Sequence, residues 1–85
     1  MYFVYILQSE STGHFYIGHT DHLLRRFHQH LTGQTPATRG RGPWTMPYYE
    51  CFPTRQEAVH REAELKRKKS AESLRRLIES FSPQG

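Results

Sequence analysis

The feature that most constrains this chain is a pair of short apolar runs near its start. Tyr2 to Leu7 is an unbroken apolar and aromatic stretch, and Phe15-Tyr16-Ile17 is a second, stopped by Gly18. The polar segment Gln8 to Gly13 between them is too short for anything but a turn, so the two runs predict an antiparallel hairpin. With 85 residues the chain has room for one domain and not two. A domain of this size buries only roughly 60–65% of the surface of its unfolded chain. The core must therefore be thin, a small sheet covered by a few helices.

The rest of the chain supplies those helices. Thr20 or Asp21 is the expected N-cap of a first helix over Asp21 to Leu31, with Leu23, Leu24, Phe27 and Leu31 as its apolar sector and Gly33 ending it. Gly33 to Pro43 carries no helix or strand pattern and reads as a flexible loop. Trp44 to Phe52 is aromatic and predicts a third strand, and Pro47 within it implies an edge position or a bulge. Thr54-x-x-Glu57 is a capping box that opens a second helix, with Ala58, Val59, Ala63 and Leu65 on one side. Ser70 caps a third, in which Leu74, Leu77, Ile78 and Phe81 repeat at helical spacing. The expected fold is α+β, a small three-stranded, mainly antiparallel sheet flanked by helices in the order β-β-α-β-α-α. One domain covers residues 1–81, and residues 82–85 form a tail.

Charge narrows the function. The formal net charge is +4, and the cations crowd into the last third, at Arg55, Arg61, Lys66, Arg67, Lys68, Lys69, Arg75 and Arg76. That balance favours a polyanionic partner. No window approaches the roughly 18 apolar residues of a membrane span, so no membrane partner is expected. Cys51 is the only cysteine. It excludes an internal disulfide and a cysteine zinc site, reads as a small buried hydrophobe, and fits a reducing, cytoplasmic compartment.

Two helical positions stand out. Each helical residue advances by roughly 100°, which sets Arg26 and His30 along the border of the first helix's apolar sector, with His22 on the same stripe, while Arg25 points to solvent. His19 would join that stripe if the helix began early. In the second helix, Glu62 falls between Ala58 and Leu65 on the apolar stripe. A carboxylate there is costly unless a metal ion or an arginine compensates it. In the hairpin, Tyr5 and Tyr16 lie on adjacent strands and are candidates to sit side by side.

Taken in order, Val4-Tyr5-Ile6, Tyr16-Ile17-Gly18-His19-Thr20, Leu23-x-x-Arg26-x-x-x-His30-x-x-Gly33, Pro43-Trp44 leading to Tyr48-Tyr49-Glu50, and Ala58-x-x-Arg61-Glu62-x-x-Leu65-Lys66 form a pattern. It resembles the GIY-YIG nuclease superfamily over about Met1 to Ile78, and most closely its short stand-alone bacterial members, the UPF0213-like proteins. The resemblance implies a metal-dependent endonuclease that hydrolyses phosphodiester bonds in DNA. One divalent ion, Mg²⁺ or Mn²⁺, would be held by Glu62. Arg26 would contact the scissile phosphate, Tyr16 or Tyr5 would be the general base, and His19 and His30 would support that base or the leaving group. The first motif reads Val-Tyr-Ile where the family name has Gly-Ile-Tyr. The chain also contains no Asn, a residue some family nucleases place after the glutamate.

Lys66, Arg67, Lys68 and Lys69, with Arg39 and Arg41 in the loop, are the expected nucleic-acid contacts. They would give salt-dependent affinity with weak sequence preference. Selectivity is then left to the shape of damaged, nicked or branched DNA or to a protein partner. The alternatives are an RNA-directed nuclease and a non-catalytic nucleic-acid-binding module.

Overall fold

A strand that is apolar at every position needs cover on both faces, and that is where the first run lies. The computed structural model describes residues 1–68 and 70–81; Lys69, the side chain of Lys68 and the expected tail at 82–85 lie outside the described residues. The elements are β1 (Tyr2–Ser9), β2 (Phe15–Thr20), α1 (Leu23–Leu31), β3 (Trp44–Phe52), α2 (Arg55–Lys68) and α3 (Ala71–Glu79). The sheet order is β2-β1-β3, and both pairings are antiparallel. This is the expected α+β fold in the expected order.

Central β1 alternates between two thin cores. Val4 and Ile6 face α2 and α3, where Ile17, Tyr48, Ala58, Leu65 and Leu74 complete one cluster. Tyr5 and Leu7 face α1, with Trp44 and the half-buried Tyr16, Leu23, Phe27 and Met46. Fully burying each large aliphatic side chain contributes about 1.5–3 kcal/mol, so these few residues hold the layers together. Pro47 behaves as its chemistry requires. It lies on edge strand β3, beside a register shift opposite Ile6 to Gln8. Thr54 Oγ1 accepts from Glu57 N at 3.2 Å, forming the N-terminal cap of α2.

Several expectations are corrected. Helix α1 starts at Leu23 rather than Asp21, and its N-cap is His22, whose Nδ1 accepts from Arg25 N at 3.2 Å. Thr20 ends β2 instead, and its hydroxyl accepts from His22 N at 3.1 Å. The apolar sector is rotated: Leu24 and Leu31 are exposed, while Leu23, Phe27 and His30 turn inward. Val59 is exposed, one helical step past the buried stripe of Ala58 and Leu65. Cys51 is exposed too, near the end of edge strand β3.

The loop from Gly33 to Pro43 is pinned rather than loose. Ser9 Oγ donates to the Arg41 carbonyl at 2.5 Å, Trp44 Nε1 donates to the Thr38 carbonyl at 3.0 Å, and Arg39 Nε donates to the Gly33 carbonyl at 3.0 Å.

Candidate active site

Side chains alternate along a strand, so neighbours on β2 serve opposite faces of the sheet. Tyr16 and Gly18 belong to the α1 face, and Ile17 and His19 to the α2 face. This divides the candidate residues into two halves that meet around the free edge of β2.

On the α1 face Tyr5 pairs across the sheet with Gly18, and Tyr16 pairs with Leu7. The two tyrosines are therefore diagonal neighbours, with ring centroids 6.4 Å apart. His30, one turn beyond Arg26 on α1, inserts beside both, 5.7 Å from the Tyr5 ring and 5.2 Å from the Tyr16 ring. Its Nε2 lies 2.9 Å from the Tyr5 hydroxyl. Its Nδ1 lies 2.7 Å from Thr38 Oγ1 and 2.9 Å from Thr35 Oγ1. A polar ring is thus buried on a helix because hydroxyls from a strand and a loop satisfy both nitrogens.

Arg26 is half-buried and makes no ion pair or hydrogen bond through its side chain among the described residues. Its charge is nonetheless felt at both Tyr5 and His30. Burial, reinforced by Arg26, pushes the His30 pKa down and keeps the imidazole neutral. Burial pushes the Tyr5 pKa far up, with Tyr16 and Glu62 adding to the rise and Arg26 opposing it. Tyr5 therefore holds its proton. Arg25 is exposed, 3.9 Å from Asp21 one turn earlier.

On the α2 face, Glu62 has one partner at each oxygen. His19 Nδ1 donates to Oε1 at 2.5 Å, and Lys66 Nζ donates to Oε2 at 2.6 Å. So His19 joins Glu62 and not the α1 stripe. Burial pushes the Glu62 pKa up, but the hydrogen bonds from Lys66 and His19 outweigh it and leave the carboxylate below its ordinary range. Neither partner is an arginine. One residue earlier, Arg61 shows what a structural pair looks like here. Its Nε and Nη2 fork onto Glu50 of β3, both at 2.9 Å, and Tyr48 donates to the same carboxylate.

A divalent ion fits the Glu62 half in one sense and not in another. Among the described residues no group of three or more His, Cys, Asp or Glu side chains gathers into a protein cage. Magnesium-type sites, however, often rely on one or two carboxylates and complete the shell with water and substrate phosphate. Oε2 already carries a cation, Lys66, on a long and mostly exposed side chain that can withdraw.

A groove of about 540 Å³ runs along β2 and takes in Tyr16 from one half and Lys66 from the other, while Glu62, His19, Arg26, Tyr5 and His30 lie outside its lining. It holds Tyr16, Trp44 and Leu74, with Arg41, Lys66 and Arg75 as its charges and no acidic side chain among its lining residues. Trp44 and Tyr48 are buried core residues. Arg39 and Arg67 are exposed, so both are accessible from solvent. Sequence reasoning missed Thr35, Thr38 and the Glu50–Arg61 fork. The threonines sit in a loop without periodicity, and the fork joins residues 11 apart on different elements.

A family model described as the GIY-YIG catalytic domain matches residues 1–76. A UPF0213 protein of Haloquadratum walsbyi is 39% identical over 66 residues, spanning 76% of this chain and 73% of that one. A UPF0213 protein of Oceanobacillus iheyensis is 37% identical over 79 residues, spanning 92% of this chain and 90% of that one. The solution NMR structure of the UPF0213 protein BH0048 from Bacillus halodurans superposes with a TM-score of 0.59 at 32% identity, covering 98% of this chain and 89% of that one.

Proposed function

This chain belongs to the GIY-YIG family, a nuclease superfamily, and on that premise we propose that it is a metal-dependent endonuclease hydrolysing phosphodiester bonds in DNA. The observation that carries the reading is the Glu62 carboxylate. It is half-buried, ionised, and partnered by a histidine and a movable lysine beside a groove with no acidic lining. Glu50 of β3, by contrast, is held by the forked guanidinium of Arg61.

Glu62, with His19 beside it, would hold one Mg²⁺ or Mn²⁺ once Lys66 withdraws. When bound, such an ion supplies Lewis-acid stabilisation of the phosphodiester and of the departing oxygen. The chain's own groups do the rest. Arg26, with no side-chain partner among the described residues, offers its guanidinium to the charge that builds on the phosphate. Tyr16 lines the open groove, and once its own hydroxyl proton has passed to solvent its oxygen would accept the proton of the attacking water. Tyr5 is buried and tied to His30, so it supports Tyr16 rather than reaching water itself. Arg41, Lys66 and Arg75 hold the backbone of the strand, with Arg39 and Arg67 as outlying contacts, and Lys68 and Lys69 stay contacts expected from the sequence. Such contacts position without reading bases, which gives weak sequence preference and leaves selectivity to DNA shape or a protein partner. Cytoplasmic DNA is the expected target.

The test is cleavage of linear, nicked and branched DNA, and of RNA of matching sequence, with Mg²⁺, Mn²⁺ or chelator, for the parent and Glu62→Gln. Metal-dependent cleavage that falls about a hundred- to thousandfold in Glu62→Gln is expected, the usual cost of losing one such group. Binding without cleavage by the parent would make the chain a non-catalytic nucleic-acid-binding module. Cleavage of RNA alone would move the substrate class.

A further inference from the structure

His30 is 3% exposed, and both of its ring nitrogens meet hydroxyls. A neutral imidazole carries one N–H, and the nitrogen that bears it sets the direction of every bond in the cluster. Thr35 Oγ1 and Thr38 Oγ1 are themselves 2.6 Å apart.

Consider first a proton on Nε2. It donates to the Tyr5 oxygen at 2.9 Å. The Tyr5 hydroxyl proton, on a side chain 2% exposed, then has no acceptor among the described residues. Buried donors are rarely left in that state. Now consider a proton on Nδ1. It donates to Thr38 Oγ1 at 2.7 Å, and the Thr38 hydroxyl donates to Thr35 Oγ1. The Thr35 hydroxyl, on a half-buried residue, turns to water, and Nε2 accepts from Tyr5. Every buried proton in the cluster has an acceptor.

Thr38 is built for this task. It is 1% exposed, and its backbone is held independently of its hydroxyl. Its N–H donates to the Thr35 carbonyl at 3.2 Å, and its carbonyl accepts from Arg41 N at 3.3 Å and Trp44 Nε1 at 3.0 Å.

We propose that Thr38, backed by Thr35, is a positioning residue that locks His30 in the Nδ1–H tautomer, so that Nε2 accepts the Tyr5 hydroxyl proton and fixes that phenol over Gly18. With its proton committed to His30, Tyr5 turns only oxygen lone pairs toward the rest of the site. The consequence for catalysis rests on the nuclease reading; the tautomer does not.

The experiment is long-range ¹H–¹⁵N correlation of the histidine side chains in the ¹⁵N-labelled full chain near neutral pH, with His30→Gln to assign the resonances. His30 is expected to show a protonated Nδ1 and an unprotonated Nε2. Thr38→Val should lose that pattern, giving the Nε2–H form or a mixture, and Thr38→Ser should restore it. Tyr5→Phe should keep it, because a proton on Nε2 would then face an apolar ring with no acceptor, whereas one on Nδ1 still donates to Thr38. A wild-type His30 with Nε2–H would overturn the proposal, as would Thr38→Val with an unchanged pattern. If Thr38→Val does not fold, the wild-type, Thr38→Ser and Tyr5→Phe spectra still decide it. In cleavage assays Thr38→Val should lower kcat with KM little changed, and Thr38→Ser should recover it. Absence of cleavage by every protein, with the spectra as stated, would defeat the nuclease reading and leave the tautomer assignment standing.

Discussion

Gly18 and Tyr5 pair so closely across the hairpin that a Cβ on Gly18 would fall 2.6 Å from the Tyr5 hydroxyl oxygen. The same Cβ would sit 3.2 Å from Cε2 of Tyr16. The glycine is there because two phenols share the space a side chain would fill. Gly18→Ala must push the Tyr5 ring away from His30, so a destabilisation of about 1–3 kcal/mol, typical of overpacking, is expected in thermal or urea unfolding. A variant that melts like the parent and keeps Tyr5 on His30 in a crystal structure would contradict this.

The two adjacent arginines of α1 should behave differently. Arg26 is half-buried, acts electrostatically on Tyr5 and His30, and has no partner of its own among the described residues. Arg25 is exposed beside Asp21. Arg26→Ala should lower cleavage by about a hundred- to thousandfold, and Arg25→Ala by far less. Equal losses in a side-by-side rate measurement would remove Arg26 from the proposed site.

Acid should attack the Glu50–Arg61 fork. Burial pushes the Glu50 pKa up, but hydrogen bonds from Arg61 and Tyr48 carry it below the usual carboxylate range. A lowered folded pKa stabilises the fold above the unfolded value, and that contribution drains away as pH falls through the folded one. Glu50→Gln should therefore be less stable near neutrality and show a flatter loss below about pH 4.5, the ordinary range for Glu. At the other end, burial and the Glu50 hydrogen bond push the Tyr48 pKa up to about 12. Its contribution is intact below about pH 10 and is lost as pH rises through that raised value. Tyr48→Phe should lessen the alkaline loss. Denaturation midpoints measured across pH test both limbs.

Arg75 and Arg76 offer a control pair for binding. Arg75 lines the groove, whereas Arg76 pairs with Glu72 at 2.9 Å on an exposed turn of α3. With chelator present, Arg75→Gln should reduce the slope of log affinity against log salt by about one, and Arg76→Gln by less. Fluorescence anisotropy with a short labelled DNA measures it. Identical slopes for the two variants would mean that the strand does not run through the groove.

Much of this was legible before any coordinates. The two apolar runs, the helical spacing of Leu74, Leu77 and Ile78, and Pro47 report local geometry, and local geometry is what periodicity encodes. Glu62 was readable for the same reason, as an acid on an apolar stripe. The misreadings share another cause. Leu24 and Leu31 look like core residues by type, yet α1 turns His30 inward because Tyr5, Thr35 and Thr38 satisfy its nitrogens. Those partners come from a distant strand and from a segment with no pattern, so no spacing on α1 announces them. The separation of His19 from the α1 stripe likewise depended on Thr20 closing β2, a boundary two residues from where capping rules set it.

The pinned loop carries a thermodynamic consequence. Ser9 and Trp44 already fix the backbone that carries Arg39 and Arg41, and the Gly33 carbonyl holds the Arg39 side chain. Ordering a loose segment at the moment of association subtracts from affinity. Here that entropy is surrendered during folding instead, so a polyanion arriving at the groove meets a cationic arc whose shape is set in advance.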